Sequence, residues 1–257
     1  MTKKERYSHS KISTFEQCPL KYRLRYIDKI KIKQKSIEGF LGSMIHETLE
    51  WLYRQVKKEK TPKMDEVIFY YASNWEKNFE PEKYFIVREG LTVKDYLEKG
   101  LKFLLDYYQT NYPFEDNTIA IEKIVSILLD DSEEYEFMGI IDRLVYNPET
   151  EYYEIHDYKT ANNLPDSDKV ENDRQLPLYS IAVKDDFNTN KIKLIWHYLA
   201  HNKKIHSKRT DEQIIKLKEE TINLIKKIED TKIFPYNKSI LCNWCEYRKI
   251  CPAKNNN

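Results

Sequence analysis

The sequence predicts a mixed α/β or α+β sandwich in which helices cover a central sheet. Apolar residues keep a three-to-four residue rhythm along roughly the first 111 positions, the mark of amphipathic helices. Between about 119 and 159 the rhythm changes to short segments rich in β-branched and aromatic residues, the mark of strands. After residue 173 helical, extended and helical spacing follow one another, an order that lays helices over a sheet.

Ser13 to Ile27 has helical spacing through Phe15, Leu20, Tyr22, Leu24 and Ile27, with a Ser/Thr start and Glu16 placed as in a capping box. Residues 41 to 59 predict a second helix with Met44, Ile45, Leu49, Leu52 and Val56 on its apolar side. Two more amphipathic helices are expected at about 63 to 79 and 92 to 111. Strands follow near 119 to 129, 135 to 146 and 151 to 159, and Asn147 to Thr150 reads as a hairpin turn carrying Pro148. A helix at 173 to 186, strands at 191 to 200 and 203 to 208, and a helix at 211 to 230 complete the order. Thr210-Asp211-Glu212 supplies the capping chemistry of the last helix.

With 257 residues, 40% hydrophobic and 33% charged, the chain can bury a core and is too patterned for disorder. No repeat or Gly/Ser linker divides it, so a single domain over 1–257 is expected. No apolar run approaches the roughly 18 residues of a membrane span, and MTKKERYSHS lacks the apolar stretch of a signal peptide. A cytoplasmic protein without membrane contact is the expectation. The net charge is +1, but residues 1–35 carry +8, residues 36–201 carry −13 and residues 202–257 carry +6. Both ends are basic and the middle is acidic.

Chemistry concentrates in the predicted hairpin. Successive side chains of a strand alternate between faces, so Asp157 and Lys159 project to one side. Pairing across the hairpin can bring Asp142 beside Asp157. Hard oxygen ligands of this kind suit Mg²⁺ or Mn²⁺, and a nearby ammonium suits developing negative charge, a set fitted to phosphodiester hydrolysis. An isolated D-x-K is more often a solvated charge ladder, yet here both flanks are apolar, where unpaired charge is costly.

Gly139-Ile140-Ile141-Asp142-Arg143 and the IHDYKT stretch ending in Thr160 resemble the two central motifs of the RecB-like branch of the PD-(D/E)XK nuclease superfamily. Asp142 matches the first acid, Asp157 the second and Lys159 the lysine. Gly42-Ser43-Met44-Ile45-His46 is similar to the family's G-x-x-x-H helix, Gln175 to Tyr179 to its Q-x-x-x-Y helix, and Ser10 to Arg25 to its N-terminal signature. Glu122 stands where many relatives carry a Glu. The resemblance implies an α/β, restriction-endonuclease-like core with a central mixed sheet flanked by helices, catalytic Asp142, Asp157 and Lys159, and a metal held by His46, Asp142 and Asp157. Gln175 and Tyr179 share a helix face and suit a paired contact to a phosphate or base.

Cys242, Cys245 and Cys251 form C-x2-C-x5-C, and Cys18, the one cysteine left, lies 224 positions before the first of them. Four thiolates suit zinc or a 4Fe-4S cluster. The arrangement resembles the iron-sulfur clasp of AddB-type and CRISPR adaptation-associated members, which implies a 4Fe-4S cluster joining an N-terminal helical region to the C-terminus. Such a clasp would bring together Lys21, Arg23, Arg25, Arg248 and Lys249 as a DNA-binding surface, with Tyr22, Tyr26, Trp244 and Tyr247 as candidates for base stacking. The expected function is a metal-dependent DNA exonuclease acting on single strands or single-stranded ends. Its pathway partners would be recombination or CRISPR adaptation proteins. The rival is a non-catalytic DNA-binding or scaffolding subunit, against which the complete Asp142, Asp157 and Lys159 set argues.

Overall fold

A computed structural model describes residues 6–130 and 134–254. The chain enters through a three-residue strand β1 (Arg6–Ser8) and turns directly into α1 (His9–Gln17), whose first turn is capped by Ser8 Oγ accepting from the Lys11 N–H. The helix thus starts four residues before the expected Ser13. It also stops early: Cys18 is extended, Pro19 opens the short α2 (Pro19–Tyr22), and Arg23–Ile27 continue as one wide π turn. The predicted 13–27 helix is therefore broken at the cysteine.

A two-residue strand β2 (Lys35–Ser36) leads into α3 (Ile37–Val56), capped by Ser36, and α4 (Met64–Asn78) follows. β3 (Tyr84–Phe85) pairs with β2, and α5 (Val93–Asn111) starts in a Thr92/Asp95 capping box. Then come β4 (Thr118–Leu128), β5 (Glu136–Asn147) and β6 (Tyr152–Lys159). After the one-turn α6 (Ser167–Glu171) the chain forms α7 (Gln175–Phe187), β7 (Ile192–Tyr198), β8 (Lys203–Ser207) and α8 (Asp211–Asp230), the last opening with the expected Thr210 cap. Short 3₁₀ turns carry the C-terminal cysteines.

The main sheet has six strands and is mixed, as expected. β5 pairs antiparallel with β4 on one edge; on the other it pairs first with β1, in parallel, and then with β6, antiparallel. β6 continues to β7 in parallel and β7 to β8 antiparallel. One core lies between the sheet and α1, α7 and α8, where Phe137, Ile141, Leu144, Ile155, Leu178 and Ile225 are buried. A second joins α3, α4 and α5 to the sheet through Tyr158 and Leu199. Residues of β5 and β6 are thus walled in on both sides, and the charges among them need partners.

Candidate active site

Asp142 and Asp157 face each other across β5 and β6, because the register places Arg143 opposite His156. Asp157 is only 3% exposed, and its Oδ2 lies 2.7 Å from Lys159 Nζ, the same-face pairing that the strand period predicts. Burial and the Asp142 charge push the Asp157 carboxyl up, while Lys159 opposes them. Burial pulls the ammonium of Lys159 down, but Asp157 outweighs it and holds the group above its ordinary value.

Three ligand atoms from His46, Glu122 and Asp142 lie within 4.8 Å of one another. Each comes from a different element. α3 brings His46 down onto the sheet, and its close approach uses Gly42, where a Cβ would sit 3.3 Å from Thr160 Oγ1. Glu122, aligned with Asp142 across the β4–β5 ladder, adopts a left-handed backbone (φ 50°) inside a strand. A non-glycine residue costs about 1–3 kcal/mol in such a conformation, and the outlier coincides with the acidic cluster. Burial, with Asp142 and Glu50 beside it, raises the carboxyl of Glu122.

Tyr158 ties this cluster together through its peptide unit. Its N–H donates to Asp142 Oδ2 (2.9 Å), and its C=O lies 2.8 Å from His46 Nε2. A carbonyl can only accept, so the His46 proton is on Nε2. The other ring nitrogen, Nδ1, faces Asp142 Oδ2 at 3.4 Å. A ligating histidine is commonly oriented this way, by a hydrogen bond from its second nitrogen to a carbonyl. With no ion beside it, burial lowers the basicity of His46, but Asp142, Asp157 and the Tyr158 carbonyl outweigh that and push it up to about 9. The donor set of one imidazole and two carboxylates fits a divalent cation of the Mg²⁺ or Mn²⁺ type.

On its other side Tyr158 is held by the motif arginine. Arg143, 1% exposed, donates from Nε to Tyr158 Oη (3.0 Å), from Nη1 to Asp116 and Thr118, and from Nη2 to His156 Nδ1 (3.0 Å), with its guanidinium 3.9 Å from the centre of the Tyr53 ring. Arginine cannot accept, so His156 Nδ1 is the acceptor and the ring is neutral; His197 Nε2 donates to the same atom at 2.8 Å. Sequence reading did not single out Tyr158 or assign Arg143 a role. Their signal is present only as polar residues alternating with Asp142 and Asp157.

Gln175 and Tyr179 are bound to the protein's own active-site residues. Gln175 Oε1 accepts from Lys159 Nζ (3.0 Å), and its side chain hydrogen-bonds Tyr179, which is 4% exposed. Tyr179 lies directly against Gly139, where a Cβ would be 2.0 Å from its Cε1. The two motifs form one device: the glycine makes room for the tyrosine, the tyrosine braces the glutamine, and the glutamine braces the lysine.

All four cysteines are free thiols lining one cavity of about 560 Å³, together with Lys21, Tyr247 and Arg248. Backbone N–H groups of Asn237 and Ser239 lie 3.4 Å from Cys18 Sγ and Cys242 Sγ. Burial raises the thiol of Cys245. Among the described residues no three cysteine sulfurs lie within 4.8 Å of one another. The basic residues beside the cavity are already engaged. Lys21 and Arg25 face Glu246, Arg23 pairs with Asp28, Arg248 stacks 3.2 Å from the centre of Phe85, and Lys249 donates to Gln34. Tyr22 and Tyr247 are buried and offer no open stacking face, while Trp244, bonded to Glu38, and Tyr26, against Tyr22, are half-buried.

Residues 6–252 match the family model of the PD-(D/E)XK nuclease superfamily. The chain belongs to that superfamily. PD-(D/E)XK nucleases use divalent metals and act on DNA, which agrees with the acidic cluster found here. Among solved structures the fold is similar to that of a protein from Eubacterium rectale carrying an exonuclease name, with TM-score 0.56 and 12% identity over 99% of this chain and 88% of that one. A second, SSO0001, aligns at TM-score 0.43 and 15% identity, over 99% and 89%. A search of curated protein sequences gave no match. No helix among the described residues is long and apolar enough to cross a membrane.

Proposed function

We propose that this PD-(D/E)XK nuclease is a Mg²⁺- or Mn²⁺-dependent exonuclease of the RecB-like branch that cleaves single-stranded DNA or single-stranded ends. The observation that carries the reading is the convergence of Glu122, Asp142 and Nδ1 of His46, with the Tyr158 peptide fixing two of the three. A divalent ion held there would polarise a phosphate oxygen and acidify bound water. Asp157 stands next to the cluster as a further carboxylate ligand. Lys159, braced by Asp157 and Gln175, offers positive charge to the phosphate in the transition state. The intact set opposes a purely scaffolding role.

The four cysteines are read as ligands of a 4Fe-4S cluster that ties the ends of a single domain spanning residues 1–257. A single tetrahedral ion draws thiolates to about 3.8 Å of one another, given Zn–S bonds near 2.3 Å. The cavity of about 560 Å³ that all four cysteines line leaves room for a larger inorganic core. Arg23, Arg25, Arg248 and Lys249 border it as the DNA-facing side, and by resemblance the enzyme works in the cytoplasm with repair, recombination or CRISPR adaptation proteins.

Calorimetric titration with Mn²⁺ tests the metal site, beside cleavage of end-labelled single strands. His46→Ala, Glu122→Gln and Asp142→Asn should each weaken Mn²⁺ binding by about 10-fold or more and abolish cleavage. Unchanged Mn²⁺ affinity in all three would remove the ion from this cluster.

A further inference from the structure

Between the π turn and α3 the sequence from 29 to 35 reads K-I-K-I-K-Q-K, a lysine at every second position. From Lys31 on exposure follows the same period, with Lys31, Lys33 and Lys35 exposed and Ile32 and Gln34 half-buried; Lys29 and Ile30 before them are both exposed. The segment is pinned from within. The Ile30 N–H donates to the Leu24 carbonyl (2.8 Å), Tyr247 Oη donates to the Ile30 carbonyl (3.1 Å), and Gln34 both donates to the Glu82 carbonyl (3.1 Å) and accepts from Lys249 (2.6 Å). Yet none of the four lysine side chains meets an ion-pair or hydrogen-bond partner among the described residues. Lys21, Arg23 and Arg25, just before them, all face carboxylates.

We propose that Lys29, Lys31, Lys33 and Lys35 form a phosphate track that holds one strand of nucleic acid on its way to the site. The inference rests on the nuclease reading and adds to it where the substrate lies. The segment is irregular, left-handed at Lys29 (φ 52°) and bent at Lys33, but even a fully extended backbone places alternate residues at most about 7 Å apart, inside the roughly 8–10 Å screening length of physiological salt, so neighbouring ammonium groups repel one another. A polyanion with regularly spaced charges relieves that repulsion and releases its own counterions. The row is one residue wide, which suits a single backbone tracked along a strip. It also leads to the right place. Lys35 is followed at once by α3, and the nine steps from Ile37 to His46 cover about 14 Å at ~1.5 Å each. The anchoring through Tyr247 and Lys249 makes the row contiguous with the cysteine cavity.

The test is the salt dependence of oligothymidylate binding, measured in Ca²⁺, for the full-length protein and for a variant with Lys29→Gln, Lys31→Gln, Lys33→Gln and Lys35→Gln. Each single-strand phosphate neutralised contributes about 0.7 to the slope of log K against log salt, so the variant should lose roughly 3. Its affinity should fall for long oligomers and stay the same for the shortest ones that the site binds. A control carrying Lys58→Gln, Lys60→Gln, Lys203→Gln and Lys216→Gln should keep the slope. An unchanged slope in the first variant, or an equal loss in the control, overturns the track. So does a variant that loses only its affinity for phosphatidylserine vesicles, since the row would then face a lipid surface. Lysine-dependent binding by a protein that cleaves nothing sinks the nuclease reading and leaves the track standing.

Discussion

Lys159 and Asp157 show how far burial changes what a substitution means. From the sequence, removing either group should cost little stability, because both serve chemistry. In the folded protein Asp157 is almost wholly enclosed and Lys159 is its counter-charge. Breaking a buried pair from one side costs about 3–5 kcal/mol, because the remaining charge is stranded. Lys159→Ala strands the enclosed carboxylate and should lower the urea midpoint clearly, whereas Asp157→Asn keeps the shape, removes the charge facing Asp142 and leaves a lysine that is 31% exposed and still bonded to Gln175, so it should cost distinctly less. Both should abolish cleavage. Equal stability of the two variants would show that Asp157 is not a buried charge. Neutral histidines give a second expectation. Burial, then Arg143 for His156 and His156 for His197, hold both rings well below the ordinary 6.5. The unfolded chain protonates them as pH drops through that value and the folded chain does not, so stability is full above about 6.5 and lost below it. Two such groups give a slope approaching about 2.7 kcal/mol per pH unit, read from urea unfolding of metal-free protein, and His197→Gln should flatten it.

At the scale of elements, α7 and β5 are locked by the contact of Tyr179 with Gly139. A methyl group at 139 would overlap the tyrosine ring, so Gly139→Ala should push α7 outward, at a cost of about 1–3 kcal/mol. The shift carries Gln175 away from Lys159, and cleavage should fall with stability. Adding Tyr179→Ala restores room and part of the stability but not the brace, so the double variant should be more stable than Gly139→Ala and no more active; a double-mutant cycle in urea measures the coupling. The motif spacing made both residues visible before the structure did, but not the contacts they make with Lys159 and Gly139, because a shared helix face does not say which neighbours it meets. The long helices and the β4–β6 ribbon were legible because their apolar period is sustained. β1 was not: three residues of parallel pairing carry no period, and only the β5 register fixes it. Nor could periodicity foresee the left-handed turn at Glu122, which is how an acid in a strand comes to face His46. Cys18 broke a helix whose spacing looked continuous, because its backbone is extended and Pro19, just after it, opens a new helix.

Over the whole molecule, the ends of the chain meet at the cysteine cavity. The Leu20 N–H donates to the Pro235 carbonyl, and Asn237 reaches back to both Cys18 Sγ and the Gln17 carbonyl, so the C-terminal segment lies on α1 and α2 without any covalent link. These are few and partly exposed bonds. A cluster bound by Cys18, Cys242, Cys245 and Cys251 would close a loop of more than two hundred residues and confine the unfolded chain, an entropic gain that grows slowly with loop length but is already large at this size. Cluster loss should therefore be felt as stability first. Protein prepared without oxygen should be brown, and Cys18→Ser or Cys245→Ser should bleach it, lower the melting temperature and weaken single-strand binding together. The coupling follows from the anchors: Tyr247 and Lys249, between Cys245 and Cys251, hold the lysine segment at Ile30 and Gln34. Colourless protein containing stoichiometric zinc would replace the cluster with an ion and keep the clasp. A Cys18→Ser protein that melts and binds DNA as the parent does would leave non-covalent contacts, the packing of Phe234 on Phe15 and Tyr22 and the ion pairs of Glu246 among them, to join the two segments.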